Sequence, residues 1–228
     1  MAKWTAFPYD DTNYAHDAAG LKKHWARLHI GDAEPLPKEA AVLTAWGHFH
    51  AGEFQKAHDA GLKAGGHGIT VANKAQSIYA TYLEKSEKTR LAMFQEVAAR
   101  AEAQIAEDAK NPNAHYWLAY ALGRYGQGIS VAKALSQGLG SKVKNALETT
   151  IKLQPKHADA HIALGAFHAE VIDKVGKLLG KTQGADAATG LKMFQQALKL
   201  NPGSAIGMVE YANGLVMLEG DKKMKDAE

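Results

Sequence analysis

Apolar residues return every three or four positions along most of this chain, and nowhere do they alternate with polar ones over the length of a strand. Leu21, Trp25 and Leu28 fall on one helical face, and Leu91, Phe94, Ala98, Ala101 and Ile105 repeat the pattern over a longer stretch. The spacing predicts an all-α protein. A first helix begins at the Asp11, Thr12 and Asn13 capping cluster, runs to about residue 29 and stops at Gly31. The Pro35-Leu36-Pro37 linker opens a new element. Residues 38–50 and 53–64 then form a hairpin about Gly52, with Ala45, Ala57 and Ala64 at its small positions. The glycine-rich tract 61–68 reads as a loop and Thr70 as the cap of a helix reaching about residue 84. Ser86 starts a long helix to about residue 108.

Two joints dominate the second half. QPKHADAHIALG at residues 154–165 and NPGSAIGMVEYANG at 201–214 each read as the end of one helix, a turn fixed by proline and the start of the next. After the first joint come His161-x2-Leu164-Gly165-x2-His168 and then Gly190-x3-Phe194-x2-Ala197, closed by Pro202. Small residues at Gly165, Gly190 and Ala197 let two antiparallel helices approach, while larger side chains fill the seam. The same register gives His115-x2-Leu118-Ala119-x2-Leu122 with Val143-x3-Leu147 and Pro155 upstream, and Met208-x2-Tyr211-Ala212-x2-Leu215 downstream. In the first unit Gly126 and Gly128 break the helix, and residues 129–137 form a short extra one that Gly138 and Gly140 end. In the second, Val171, Val175, Leu178 and Leu179 carry the stripe past His168, so that helix extends to about residue 180.

On these residues the chain resembles the tetratricopeptide repeat, a helix-turn-helix unit of about 34 residues that stacks in arrays. Here the first helices start about 46 residues apart, so each complete unit is enlarged. The blocks HIALGAFHAEV and GLKMFQQALKLNP are similar to a smaller group with expanded repeats. That group includes the T component of tripartite periplasmic transporters, the regulator-of-microtubule-dynamics proteins and small bacterial relatives; the last fit better, since no leader or lipidated cysteine is seen. Residues 1–112 read as N-terminal hairpins with one degenerate repeat at about 38–64, and 113–228 as expanded repeats at 113–155, 156–202 and 203–228, all in one continuous array. The last repeat is incomplete, and such arrays need a polar cap. The expectation is that the native chain continues past Glu228 or that another copy covers the last helix, as a homo-oligomer.

Composition narrows the function. With 228 residues, 46% of them hydrophobic, the chain can bury a core. A net charge of +3 without an aromatic-basic motif predicts no nucleic-acid partner. No apolar run approaches the roughly 18 residues of a membrane span, so no membrane insertion is expected. Absence of cysteine removes disulfides and thiolate metal sites. Without a visible secretory signal the expected location is cytoplasmic, or periplasmic if a leader has been removed. Gly176 to Thr182, GKLLGKT, looks like a phosphate-binding loop, but the spacing would need a glycine at Val175 and a strand before it. His157, His161 and His168 share a helical face, yet they span three turns and lack an HExxH arrangement, so they read as packing histidines and no metal is expected. No nucleophile elbow is present. The chain therefore reads as a non-enzyme without cofactor.

What remains is a surface. In tetratricopeptide arrays the first helices line a concave side that binds peptides. The resemblance maps that side to Asn113, Tyr116, Tyr120 and Arg124, then Asp159, Ile162, Ala166 and Glu170, then Val209 and Asn213, with Trp46, Phe49 and His50 as counterparts in the earlier hairpin. Aromatic rings beside an arginine make a ligand anchor; the competing reading is that Tyr116 and Trp117 pack on the neighbouring repeat. Only Asn113, Arg124 and Asn213 fit a clamp for a C-terminal carboxylate, which makes that ligand a minor option. The expected function is a scaffold that binds a protein segment or a small ligand. The alternative is a transporter-associated accessory protein binding a metal or small molecule.

Overall fold

The structure, a computed structural model, describes residues 3–9 and 15–227, and at position 221 the backbone alone. Among these residues there is no strand. The helices are α1 (Ala18–Leu28), α2 (Ala40–His50), α3 (Phe54–Ala64), α4 (Gly68–Tyr82), α5 (Glu87–Glu107), α6 (Pro112–Gln127), α7 (Val131–Ser136), α8 (Leu139–Leu153), α9 (Ala158–Thr182), α10 (Ala187–Leu200), α11 (Ala205–Glu219) and α12 (Met224–Ala227), with a 3-10 turn Asp221–Lys223 before the last. Contacts divide the chain into two compact units. One is Met1–Leu28 with Glu34–Val131, the other His29–Ala33 with Ala132–Glu228.

In the first unit α1 starts later than its sequence suggests. The Gly20 N–H donates to Asp17 Oδ1 at 2.7 Å, which makes Asp17 the cap; the Asp11, Thr12 and Asn13 cluster lies outside the described residues. Leu21 and Trp25 enter a core with Val42, Leu43, Ala45, Trp46, Ala57, Val71 and Ala75. The Trp25 indole N–H donates to the Glu34 carbonyl at 2.8 Å, so the linker is tied back to α1. The α2–α3 hairpin turns on Gly52 at φ +76°, where a side chain would also strike Phe7.

The tract 61–68 corrects the sequence reading. Its first residues are the last turn of α3, the turn itself is confined to residues 65–67, and α4 starts at Gly68. A Cβ on Gly61 would stand 2.5 Å from the Gly68 carbonyl oxygen, so these two glycines are where two helix backbones touch. Thr70 is no cap: it is buried inside α4, and its hydroxyl accepts from Gln104 Nε2 at 3.0 Å. Ser86 does cap α5, accepting from the Thr89 N–H at 3.3 Å. Asn111 caps α6, accepting from the Asn113 and Ala114 N–H groups, with Pro112 in the first turn. The result is a row of α2, α4 and α6 in successive contact, with α3 and α5 packed against α4 as well.

In the second unit Gly138, at φ +63°, precedes α8, while Gly140 falls inside that helix and does not end α7. α9 runs to Thr182, with its helical path broken at Gly176 (φ 79°, ψ 163°). The residues before Gly176 are helical, so the phosphate-loop likeness has no strand to stand on. α9, α10 and α11 pack together. Phe194 is held between Gly165 and Gly214, and a Cβ on Gly190 would come 3.0 Å from the His168 Cβ. The small residues of the predicted joint therefore do set the helix approach in this unit.

Three buried histidines carry a testable consequence. His161 is bonded through Nε2 to the Pro155 carbonyl at 3.1 Å, and His168 Nδ1 accepts from the Asp186 N–H at 3.1 Å. Burial pushes the pKa of both below the usual 6.5, and nearby Lys144 adds to the effect at His168. His58 in the first unit is lowered by burial too. A depressed histidine stabilises the fold fully above the unfolded pKa, and that contribution is lost as pH falls through the folded value. The urea midpoint is therefore expected to drop on acidification from about pH 6.5. His168→Asn should flatten the slope; a midpoint constant down to about pH 5 would contradict this account of the buried imidazoles.

Candidate binding face

The site is built on α4. Ten of its residues are buried, and those that are not include Lys74, Ile78, Thr81 and Tyr82, which follow helical spacing along one stripe. With α3 and α5 covering the helix and α2 and α6 flanking it, this stripe opens along the α2–α4–α6 row. The Lys74 ammonium lies 5.4 Å from the Trp46 ring centroid and 5.1 Å from that of Phe49. Thr81 Oγ1 and the Tyr120 hydroxyl share a 2.9 Å hydrogen bond between α4 and α6. The Arg124 guanidinium lies 5.3 Å over the Tyr120 ring and donates to Gln127 Oε1 at 3.1 Å. Tyr82 is 62% exposed. The face thus presents two cations seated on aromatic rings, each contact contributing about 0.5–1 kcal/mol at such sites.

A polar layer behind the stripe locks α4 in place. Arg100 of α5 donates from Nε to Asn73 Oδ1 at 2.9 Å, from Nη1 to His58 Nε2 at 3.1 Å and from Nη2 to Gln76 Oε1. Gln76 Nε2 donates to Glu96 at 2.7 Å and to the Met93 carbonyl at 3.2 Å. For His58 to accept from Arg100 its proton must sit on Nδ1, which donates to Asp59 at 2.9 Å. Burial lowers the pKa of His58 most, Asp59 opposes that, and the Arg100 charge adds to the lowering. Trp4 closes the layer, stacked on Tyr79 at 4.4 Å and 15°.

The predicted residues divide between the two units. Asn113 is 1% exposed and donates from Nδ2 to Glu34 Oε2 at 2.5 Å, and Tyr116 is 6% exposed with its ring edge against Trp117. Tyr120 and Arg124 remain half-buried and belong to the face. In the second unit the Asp159 N–H donates to the Gly31 carbonyl at 3.0 Å, and its carboxylate packs on Gly31. Ile162 is 7% exposed against Gly207. Glu170 and Ala166 are half-buried, the former 3.9 Å from Lys174 Nζ, and Val209 and Asn213 are exposed on α11. Of the earlier-hairpin residues, Trp46 is fully buried under Lys74, and Phe49 and His50 are half-buried beside it. The α4 stripe itself went unread: a helix was expected from Thr70 to about residue 84, but no repeat motif assigned it to the concave side.

A cleft of about 470 Å³ is lined by α1 and α2 residues such as Leu21 and Leu43, and by His48 and Glu53, which are bonded to each other at 2.6 Å. Lys56 and then His48 hold the Glu53 carboxyl below its usual range. His157, His161 and His168 are all engaged with backbone groups, His157 accepting from the Ala160 N–H at 3.1 Å. Among the described residues no group of three His, Asp or Glu side chains is placed to hold a metal ion. No helix among them is long and apolar enough to cross a membrane.

These features define an all-α array of helical hairpins with an aromatic, cationic face on its first unit. The chain belongs to the regulator of microtubule dynamics protein 1-3 family, whose model matches residues 67–213, more than half of the sequence. The matched span includes α4 and α6 with Lys74, Tyr82, Tyr120 and Arg124, and leaves out α1 to α3. No curated protein matches the chain.

Proposed function

We propose that this protein is a non-enzymatic scaffold of the tetratricopeptide type that holds a protein segment or small ligand against the α2–α4–α6 face. One observation carries the reading. α4 is packed by four neighbouring helices, yet along one stripe Lys74, Ile78 and Thr81 are only half-buried and Tyr82 is exposed, and Arg124 sits on the Tyr120 ring beside it. Rigid rings and a pre-placed guanidinium supply contact area at low entropy cost.

The test is a double variant. Tyr120→Ala with Arg124→Ala should reduce partner recovery in affinity capture from the source cell to background. Helicity should be unchanged and the melting temperature should move by no more than about 3 °C, because both residues are half-buried. Recovery equal to that of the native protein would move the site off this face.

A further inference from the structure

We infer that α3 and α4 form a second binding groove, one that takes an extended segment with two aromatic side chains three residues apart, and that residues 3–9 occupy it as a replaceable strap.

The segment is held as a bound peptide is. Residues 3–9, KWTAFPY, form no helix, and all but Trp4 are exposed. Two main-chain N–H groups fix its register: that of Trp4 donates to Gln55 Oε1 and that of Thr5 to the Tyr79 hydroxyl, each at 3.1 Å. Main-chain bonds of this kind give affinity for any chain on the same path, and seats for particular side chains give selectivity. Here two rings fill the seats. Trp4 stacks on Tyr79 at 4.4 Å and 15°, and its ring lies 5.1 Å from that of His58. Phe7 meets Phe54 edge-on at 5.6 Å and 81°. A Cβ on Gly52 would stand 2.6 Å from the Phe7 ring, so the α2–α3 turn makes room for that ring by lacking a side chain.

Spacing says what the groove selects. In a β-strand, positions three apart point to opposite sides, whereas a polyproline-type chain has three residues per turn and brings both rings to one side. Pro8, directly after the second anchor, suits that path. Aromatic-lined grooves are a general means of holding such chains. The ligand class is therefore aromatic-x-x-aromatic-Pro. The strap is replaceable because none of it is fully buried; even Trp4 is only half-buried. The groove also lies off the α4 stripe, since Tyr79 follows Lys74 by five residues, about 140° round the helix.

The full chain carrying Trp4→Ala and Phe7→Ala is titrated into KWTAFPY, labelled with fluorescein at its C-terminus, and into KATAAPY, with anisotropy as the readout. The variant should keep native helicity and bind KWTAFPY about tenfold or more tightly than KATAAPY. The native chain should bind KWTAFPY about tenfold or more weakly than the variant does, because its own segment competes at the high effective concentration of a tethered ligand. Adding Tyr79→Phe to the variant keeps the ring, removes the acceptor for the second N–H and should weaken KWTAFPY about threefold or more. Adding Tyr120→Ala and Arg124→Ala instead should leave its affinity unchanged. Loss of helicity in the variant would show residues 3–9 to be a fixed part of the fold and overturns the inference. Equal affinity for the two peptides, equal binding by native chain and variant, or no binding at about 1 mM does the same. So does an affinity that ignores Tyr79→Phe, or one that falls with Tyr120→Ala and Arg124→Ala, which would place the peptide on the α2–α4–α6 face.

Discussion

Phe194→Ala is expected to lower the stability of the α9–α11 unit by about 3–5 kcal/mol, as judged by urea unfolding followed by circular dichroism. Phe194 is 1% exposed and its ring fills the seam between Gly165 and Gly214, stacked on Tyr211 at 5.6 Å and 27°. Truncation removes the ring's transfer free energy and leaves a cavity that three helices cannot close without shifting. The converse change is informative as well. A Cβ on Gly214 would overlap Phe194 Cε2, so Gly214→Ala should cost about 1–3 kcal/mol by overpacking. Phe194→Leu added to Gly214→Ala should cost less than the two single losses summed, because the smaller side chain relieves the overlap. A Phe194→Ala cost below about 1 kcal/mol would mean that this ring does not organise the seam.

The second large effect concerns the polar layer behind the binding face. Arg100→Met is expected to destabilise the first unit by about 2–3 kcal/mol, a figure already discounted because the guanidinium is partly exposed to solvent. The substitution leaves Asn73 Oδ1, Gln76 Oε1 and His58 Nε2 without the donor that bridges them. It also removes a cation from beside His58, so the imidazole pKa should rise toward 6.5, which NMR titration of its ring protons would report. A loss below about 0.5 kcal/mol with an unmoved His58 titration would show that the network does not tie α4 to α3 and α5.

Much of the helical framework was legible because its causes are local. Ser86 and the stripe Phe94, Ala98 and Ala101 mark α5 through a cap and a 3.6-residue period, and each is a property of a few neighbouring residues. Gly165, Gly190 and Ala197 were readable as close-approach positions because a repeat framed them. The face itself was only half legible. Tyr116 and Tyr120 sit one helical turn apart and look alike in sequence; which of them reaches solvent depends on the neighbours each meets, Thr81 being the partner of Tyr120. Lys74, Ile78 and Tyr82 fell inside an expected helix, but no repeat motif assigned that helix to the concave side. The helix contact at Gly61 and Gly68 was hidden because close backbone approach leaves the same local signature as a turn.

Photocrosslinking compares two exposed positions on opposite sides of the first unit, each carrying p-benzoylphenylalanine. Tyr82 stands at the end of the α4 stripe, and Glu102 lies on α5. If the α2–α4–α6 face holds the partner, irradiation in the source cell yields a crosslinked species from position 82 and none from position 102. Crosslinking from 102 alone would contradict the assignment.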